Sequence, residues 1–206
     1  GLTEKYYKNG QLESKTTTKD SLPDGIWYRY HENGQLYFKG NFREGIMEGL
    51  HEYYYSNGQS EENINYQNGI FNGLFERFNE DGYLQERSYY KDDLLNGKRE
   101  QYVIVDGFQS SQIILSENYV EGKLDGLRET YFDNGQMKTK DTYKEGKLVD
   151  GLMEVYSEDG KLKHRKLYKE GEFTGEIYGS DDFGQYTISL DISKKWVVRY
   201  GKKKGE

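Results

Sequence analysis

Apolar and polar residues alternate along short runs of the chain, and each run ends at a pair of turn residues. In residues 25–48, one run ends at Asn33-Gly34, a second continues to Glu44-Gly45, and the pattern returns from Gly49. Alternation with a period of two predicts β-strands, and an Asn-Gly pair between two such runs predicts a hairpin. No stretch shows helical periodicity. The pattern therefore predicts an all-β chain built from β-hairpins.

The hairpin unit repeats about every 24 residues, with a glycine at the start of each copy. Such fixed-period repetition is typical of arrays in which each unit packs only on its neighbours. Residues 175–206 depart from the pattern and are predicted to form a degenerate eighth repeat and a C-terminal cap. Seven tandem repeats are predicted, at residues 1–24, 25–48, 49–72, 73–96, 97–125, 126–150 and 151–174.

Two turns recur in each unit. The first is an Asn-Gly or Asp-Gly pair, such as Asn57-Gly58, for which we expect a type I′ turn with positive φ at both residues. The second is usually Glu-Gly, and Asp92-Asp93 replaces it in the fourth unit. Two turns in 24 residues leave strands of roughly 6–8 residues, a normal length.

Stacking the copies places side chains of one kind at the same position in successive hairpins. We therefore predict an elongated, single-layer antiparallel meander, roughly 70 Å long for strands about 4.8 Å apart. The first column comprises Tyr6, Tyr30, Tyr54, Phe78, Tyr102, Tyr131 and Tyr156; the second comprises Leu12, Leu36, Leu84, Met137 and Leu162; the third comprises Phe42, Tyr66, Tyr90, Tyr119, Tyr143 and Tyr168.

Composition and charge narrow the classes of function. Only 33% of the residues are hydrophobic and 21 residues are tyrosines, so aromatic rings must supply much of the packing. The net charge of −7 is spread along the chain, which disfavours nucleic-acid binding and binding to anionic membranes. The chain has no cysteine and therefore no thiol chemistry. Since it begins without Met, we expect that an upstream segment is missing.

The glycines, turn pairs and aromatics of residues 49–73, 126–151 and 151–175 together resemble the bacterial variant of the MORN repeat, in proteins of the YwqK-type antitoxin-like family. The resemblance covers residues 1–175. It implies β-hairpin arrays that act as scaffolds or as protein- or lipid-binding modules, and the antitoxin label implies neutralisation of a bacterial toxin. It implies no catalytic residue and no cofactor. Both the bacterial cytoplasm and the cell envelope remain open as locations.

One set of side chains suggests a binding surface. A glutamate recurs at the fourth position of most units, two residues before the first-column ring, so both lie on one face of a strand. The hypothesis is a strip that binds a basic protein or an extended peptide; the alternative is that the glutamates bond turn amides or nearby Lys and Arg. The candidate partner-binding residues are Tyr30, Tyr54, Phe78, Tyr102, Tyr131, Tyr156, Glu52, Glu76 and Glu129.

Other functional classes find less support in the residues. His31, His51 and His164 occupy different positions in their units, which favours surface histidines over a metal or catalytic site. A hydrolase using two carboxylates is disfavoured, because repeats create many equivalent sites and catalysis needs a unique one. The irregular fifth unit, with its insertion at residues 108–115, is predicted to be a lengthened hairpin or a contact loop. A structural or lipid-associated module of the cell envelope remains the alternative function.

Overall fold

The computed structural model describes residues 1–105, 111–149, 151–179 and 186–190. These residues form 18 β-strands that all belong to one sheet, and no helix among them is long and apolar enough to span a membrane. The strands are β1 Leu2–Tyr6, β2 Leu12–Lys19, β3 Leu22–Tyr30, β4 Leu36–Arg43, β5 Ile46–Tyr54, β6 Ser60–Gln67, β7 Ile70–Phe78, β8 Leu84–Lys91, β9 Leu94–Ile104, β10 Ser111–Val120, β11 Lys123–Leu124, β12 Gly126–Tyr131, β13 Met137–Lys144, β14 Lys147–Leu148, β15 Gly151–Tyr156, β16 Leu162–Lys169, β17 Glu172–Gly179 and β18 Tyr186–Leu190.

The sheet is a continuous antiparallel meander, as the turn pattern predicts. Each strand from β1 to β10 pairs with the next one along the chain. Beyond β10, the short strands β11 and β12 pair with the same neighbour, and so do β14 and β15. The remaining pairs run in order to β18. The predicted all-β, single-sheet architecture of tandem hairpins is confirmed.

The two recurrent turns differ in geometry, and the type I′ expectation for the first turn is wrong. In the Lys8-Asn9-Gly10 loop only the glycine has a positive φ, of 85°, and Gly10 N donates to Tyr7 O. This pattern is typical of a three-residue loop in which a type I turn precedes a glycine bulge. The second turn has the primed geometry instead, since φ is 50° at Glu44 and 82° at Gly45.

The asparagine of the first turn has two roles that explain why it recurs there. Its Oδ1 accepts a hydrogen bond from the residue after the glycine, as in the 2.9 Å bond from Gln59 N to Asn57. Its Nδ2 donates to the next unit, as in the 2.6 Å bond from Asn57 to Glu80 O. An Asn side chain that bonds its own backbone two residues on stabilises such a turn.

Hydrogen bonds from each unit to the next tie neighbouring hairpins together. Besides the turn asparagines, the residue after the first-column ring reaches forward: Tyr7 Oη donates to Tyr30 O at 2.6 Å and Tyr55 Oη donates to Phe78 O at 2.9 Å. Nε2 of His31 lies 2.9 Å from Tyr54 O in the same arrangement. We call these contacts the forward bonds. In all of them the side chain belongs to the earlier unit and the carbonyl to the later one.

Strand alternation divides the sheet into two faces. The outer face carries Glu52 and Tyr54, and the inner face carries His51 and Tyr53. Columns one and two lie together on the outer face, where Tyr30 is in register with Leu36. The third column lies on the inner face, where Phe42, Tyr66 and Tyr90 pack in a cluster with His51 and Phe71. The four buried hydrophobic residues of the described part are on this inner face: Phe38, Phe42, Ile64 and Phe75.

The irregular parts of the chain are described only in part. Strands β9 and β10 pair from Gly97 with Tyr119 to Ile104 with Ser111, with a bulge beside Leu115. The fifth hairpin is therefore longer than the others. Residues 108–110 of the insertion lie outside the described residues. Of the predicted cap at residues 175–206, the structure describes residues 175–179, at the end of β17, and residues 186–190, which form β18; residues 180–185 and 191–206 lie outside the described part.

Candidate partner-binding face

A row of polar side chains crosses the middle of the outer face, with one residue from each of the strands β1–β10, β12, β13, β15 and β16. Paired residues follow one another across the sheet, for example Lys39 with Glu52, Glu76 with Arg87, and Arg87 with Glu100. We call this row the charged ladder. In strand order it comprises Glu4, Lys15, Tyr28, Lys39, Glu52, Asn63, Glu76, Arg87, Glu100, Ser116, Glu129, Lys140, Glu154 and Arg165.

The tyrosines of the first column donate to the ladder glutamates. The Oη–Oε distance is 3.1 Å for Tyr54 and Glu52, and 3.0 Å for Tyr131 and Glu129. The same bond joins Tyr6 to Glu4, Tyr102 to Glu100 and Tyr156 to Glu154. Burial and the hydrogen bond to Glu129 raise the pKa of Tyr131 to about 12, so the hydroxyl remains a donor. Each ring is thereby held at a fixed place in its row.

The ladder glutamates are also paired with cations on the neighbouring strand. Lys39 Nζ lies 2.5 Å from Glu52, Arg87 contacts Glu76 at 2.8 Å, and Arg165 contacts Glu154 at 3.1 Å. The hydrogen bond from Tyr156, followed by that from Arg165, keeps the pKa of Glu154 low despite partial burial. This geometry matches the alternative in which the glutamates bond nearby Lys and Arg. Their charge is compensated within the sheet.

The turn amides have other acceptors. Glu44 N donates to Asp24 at 3.2 Å, and Asn68 N donates to Glu48 at 3.0 Å. These acidic residues come directly before the opening glycine of a unit. The glutamates of the ladder and those beside the turns therefore have separate structural roles.

All nine predicted partner-binding residues lie on the outer face, in two adjacent rows. The first-column rings form one row, and Glu52, Glu76 and Glu129 belong to the charged ladder next to it. Every one of the nine is half-buried, so the rings present an edge or part of a face to solvent. Tyr30 lies in the row, but its unit has Tyr28 in place of the ladder glutamate. The arrangement is an extended, preorganised surface of rings beside neutralised ion pairs.

His51 contradicts the prediction of surface histidines, because it is fully buried on the inner face. Its Nε2 lies 2.9 Å from Asn41 O, and its ring is 4.8 Å from Tyr66 and 5.2 Å from Phe42, centroid to centroid. Burial lowers the pKa of His51, so the imidazole is neutral and its Nε2–H donates to Asn41. Its unit position alone could not reveal this, because no other unit has a histidine there.

An inner-face cluster of ions was also missed by sequence reasoning. Arg99 contacts Glu86 at 3.0 Å and Glu117 at 3.3 Å, while Arg128 contacts Glu117 at 3.0 Å and Asp141 at 3.8 Å. We call it the inner ion cluster. Burial, together with repulsion from Glu117, raises the pKa of Asp141 in spite of Arg128. A usable signal was present in the sequence, since Arg99 and Arg128 in units five and six occupy the inner-face position that Trp27 and Phe75 occupy in units two and four.

The described residues contain no group of three His, Asp or Glu side chains placed to hold a metal ion. The polar groups of the outer face are instead bonded to one another in repeated pairs. Binding along the surface fits this arrangement better than chemistry at a single point.

Comparison with known families accounts for the repeated hairpins. A model of the MORN repeat variant matches residues 1–20, 23–44, 47–68, 124–145 and 149–170, which together make up more than half of the chain. A search of curated proteins found no match. MORN repeats are generally non-catalytic modules that bind proteins or membranes. With glycines, turns and aromatic columns placed as the repeat requires, the chain belongs to the MORN repeat variant family.

Proposed function

We propose that the protein is a non-enzymatic scaffold that binds a protein partner along its outer face. The observation that carries the proposal is the row of half-buried first-column rings, in which Tyr54, Tyr102, Tyr131 and Tyr156 are fixed by hydrogen bonds to the ladder glutamates. Tyrosine is enriched in interfaces, and rings that are already ordered lose little conformational entropy when a partner binds.

The compensated ladder bears on the kind of partner. Because Lys39 and Arg87 neutralise Glu52 and Glu76, the outer face offers paired charges of both signs. A purely basic partner, as the acidic column alone implies, is therefore less favoured than one with mixed polarity. The net charge of −7 likewise does not favour an anionic membrane.

The finer proposal is that the partner is a toxin, which the bound array neutralises. It rests on the likeness of the repeats to antitoxin-like proteins. The alternative partner is a protein of the cell envelope, for which the array would act as a structural or lipid-associated module. Enzymatic activity finds less support, because equivalent Tyr–Glu pairs recur from unit to unit.

The test is capture of partners from the source cell by the tagged chain, followed by mass spectrometry. A triple variant, Tyr54→Ser, Phe78→Ser and Tyr131→Ser, should capture at least tenfold less of the specific partner. Its circular dichroism spectrum should still show the β-sheet. The matched control is Tyr54→Phe with Tyr131→Phe, which keeps the rings and should keep the partner. If the serine variant only lowers the melting temperature and still captures the partner, the rings are structural.

A further inference from the structure

Exposed aliphatic side chains form a second surface on the outer face, between the charged ladder and the second turns. We call it the aliphatic strip; it comprises the exposed Leu22, Ile26, Ile46, Leu50 and Leu94 together with the half-buried Ile70. The exposed fraction is 49% for Leu22, 44% for Ile26, 51% for Ile46, 45% for Leu50 and 48% for Leu94. Single exposed aliphatic residues are ordinary, but a run of them on one face marks an interaction site.

The outermost row of the strip is aliphatic only in the first half of the array. This row starts directly after the second turns, at Leu22, Ile46, Ile70 and Leu94. The corresponding positions in the next units are Lys123 and Lys147, both exposed. Hairpin stacking does not require an aliphatic residue here, since the later units form the same sheet with lysine.

Exposed cations are interleaved with the strip. Arg43 is directly paired with Ile46 across β4 and β5, and Lys91 is paired with Leu94 across β8 and β9. In the part of the chain that the structure describes, neither Arg43 nor Lys91 has an ion-pair partner, whereas Lys19 beside Leu22 lies 3.9 Å from Glu44. The strip therefore combines exposed apolar surface with two uncompensated positive charges.

The spacing of the strip matches an α-helix. Successive members of a row lie two strands apart, about 9.6 Å, and seven helical residues rise about 10.5 Å. The six strand spacings from β3 to β9 span about 29 Å, the length of a helix of about 19 residues. The two rows lie four residues apart along the strands, about 13 Å, which accommodates a helix about 10 Å wide.

We propose that the aliphatic strip docks an amphipathic α-helix of the protein partner, with an apolar heptad face on Ile46 and Leu50 and acidic flanks against Arg43 and Lys91. This inference rests on the proposed function and adds the kind of element that is recognised. A helix that lays its apolar face on a matching surface is a common mode of peptide recognition. A second copy of this chain is a poorer occupant, because its described residues form no helix.

The experiment uses the full chain and three synthetic 19-residue probes. One has leucine at heptad positions a and d with glutamate on the flanks; the second has lysine on the flanks; the third is the acidic probe with two central prolines. Fluorescence anisotropy should show at least tenfold tighter binding of the acidic probe than of the other two. Far-ultraviolet circular dichroism should show the acidic probe gaining helix when it binds.

Surface variants locate the binding. The double variant Ile46→Ser, Leu50→Ser should bind the acidic probe at least tenfold more weakly. Arg43→Glu should shift the binding preference toward the lysine probe. Val149→Ser is the matched control, because Val149 is 41% exposed and lies outside the strip. Equal binding of all three probes, no binding of the acidic one, or binding unaffected by the double variant would overturn the helix proposal.

Two further measurements separate this inference from the proposed function. If sedimentation velocity shows a dimer that the double variant abolishes, the strip is covered by a second copy and the helix proposal is wrong. If the acidic probe does not bind while the chain still captures a partner through its first-column rings, the helix proposal is wrong and the proposed function is retained. If the acidic probe binds but partner capture does not depend on those rings, the proposed role of the rings is wrong and the helix proposal is retained.

Discussion

Gly40 shows how one small residue allows a buried imidazole in a single-layer sheet. It lies in register between Trp27 and His51 on the inner face. A Cβ at this position would lie 2.5 Å from Cζ of Phe38 and 2.7 Å from Nδ1 of His51. The rings of the neighbouring strands thus occupy the space above the glycine. The consequence is a dense aromatic cluster without a second layer of sheet or helix.

Replacing Gly40 by alanine should destabilise the fold. The added methyl group would displace the Phe38 and His51 rings, and overpacking of this kind costs about 1–3 kcal/mol. Urea denaturation monitored by tryptophan fluorescence measures the loss. The control is Gly1→Ala, since a Cβ there meets nothing within 4 Å. Equal stability of Gly40→Ala and the parent chain would show that the cluster adapts.

The sequence could predict the repeated residues but not the exceptional ones. The first-column rings and the glutamates recur, so their common face follows from alternation alone. His51 is the only histidine at its position in the units, and Gly40 is the only glycine at its position. The contact between them depends on the register of strands β4 and β5. Without that register, a buried histidine cannot be distinguished from a surface one.

At the scale of the element, the two turns explain two of the glycines that recur in each unit. The first turn needs positive φ only at its glycine, whereas the second needs it at both central residues. Sequence reasoning placed both turns, but assigned the primed geometry to the first because Asn-Gly is its commonest signature. It also overlooked the second turn of the first unit, where Asp20 and Ser21 have φ values of 50° and 66°.

Asparagine should stabilise the second turns in which glutamate is now the residue before the glycine. Glu145 has a φ of 50°, a left-handed conformation that asparagine adopts more readily. Glu145→Asn should raise the free energy of unfolding by about 0.5–1 kcal/mol. The reciprocal change Asn68→Glu, at a φ of 52°, should lower it by a similar amount. Chemical denaturation of both variants is the measurement, and shifts of the same sign would contradict the turn argument.

At the scale of the molecule, the described residues form one sheet with two kinds of interior. Units two to four pack rings around Phe38, Phe42 and Phe75, whereas units four to six hold the inner ion cluster. The family model matches residues 23–44, which carry Phe38 and Phe42, and residues 124–145, which carry Arg128 and Asp141. The sequence predicted the meander correctly. It did not predict this division, because the column pattern shows which positions recur and not which charges meet across strands.

Asp141 should make the ionic half sensitive to pH. Its pKa is raised in the folded state above the ordinary 3.8, so the folded chain binds a proton more tightly than the unfolded chain. Its contribution to stability is therefore fully present below about pH 3.8 and is lost as the pH rises through the folded-state pKa. Asp141→Asn has no such dependence, so its stability relative to the parent chain should increase with pH across that window.

Chemical denaturation at several values between pH 4 and pH 7 measures the difference between the two chains. Both should be compared at one ionic strength, because salt screens charged contacts. A difference that stays constant over this range would show that Asp141 titrates alike in the folded and unfolded chains.

The forward bonds give the array a direction that matters during synthesis. Tyr7 and Asn9 carry donors for carbonyl groups of the second unit, and Asn33 and Tyr55 repeat the arrangement further along. A chain is made from its N-terminus, and its early segments fold first. Each hairpin that leaves the ribosome therefore meets a completed edge whose side chains already point toward it. We therefore expect the array to grow by addition of each new hairpin to the edge of the preceding one.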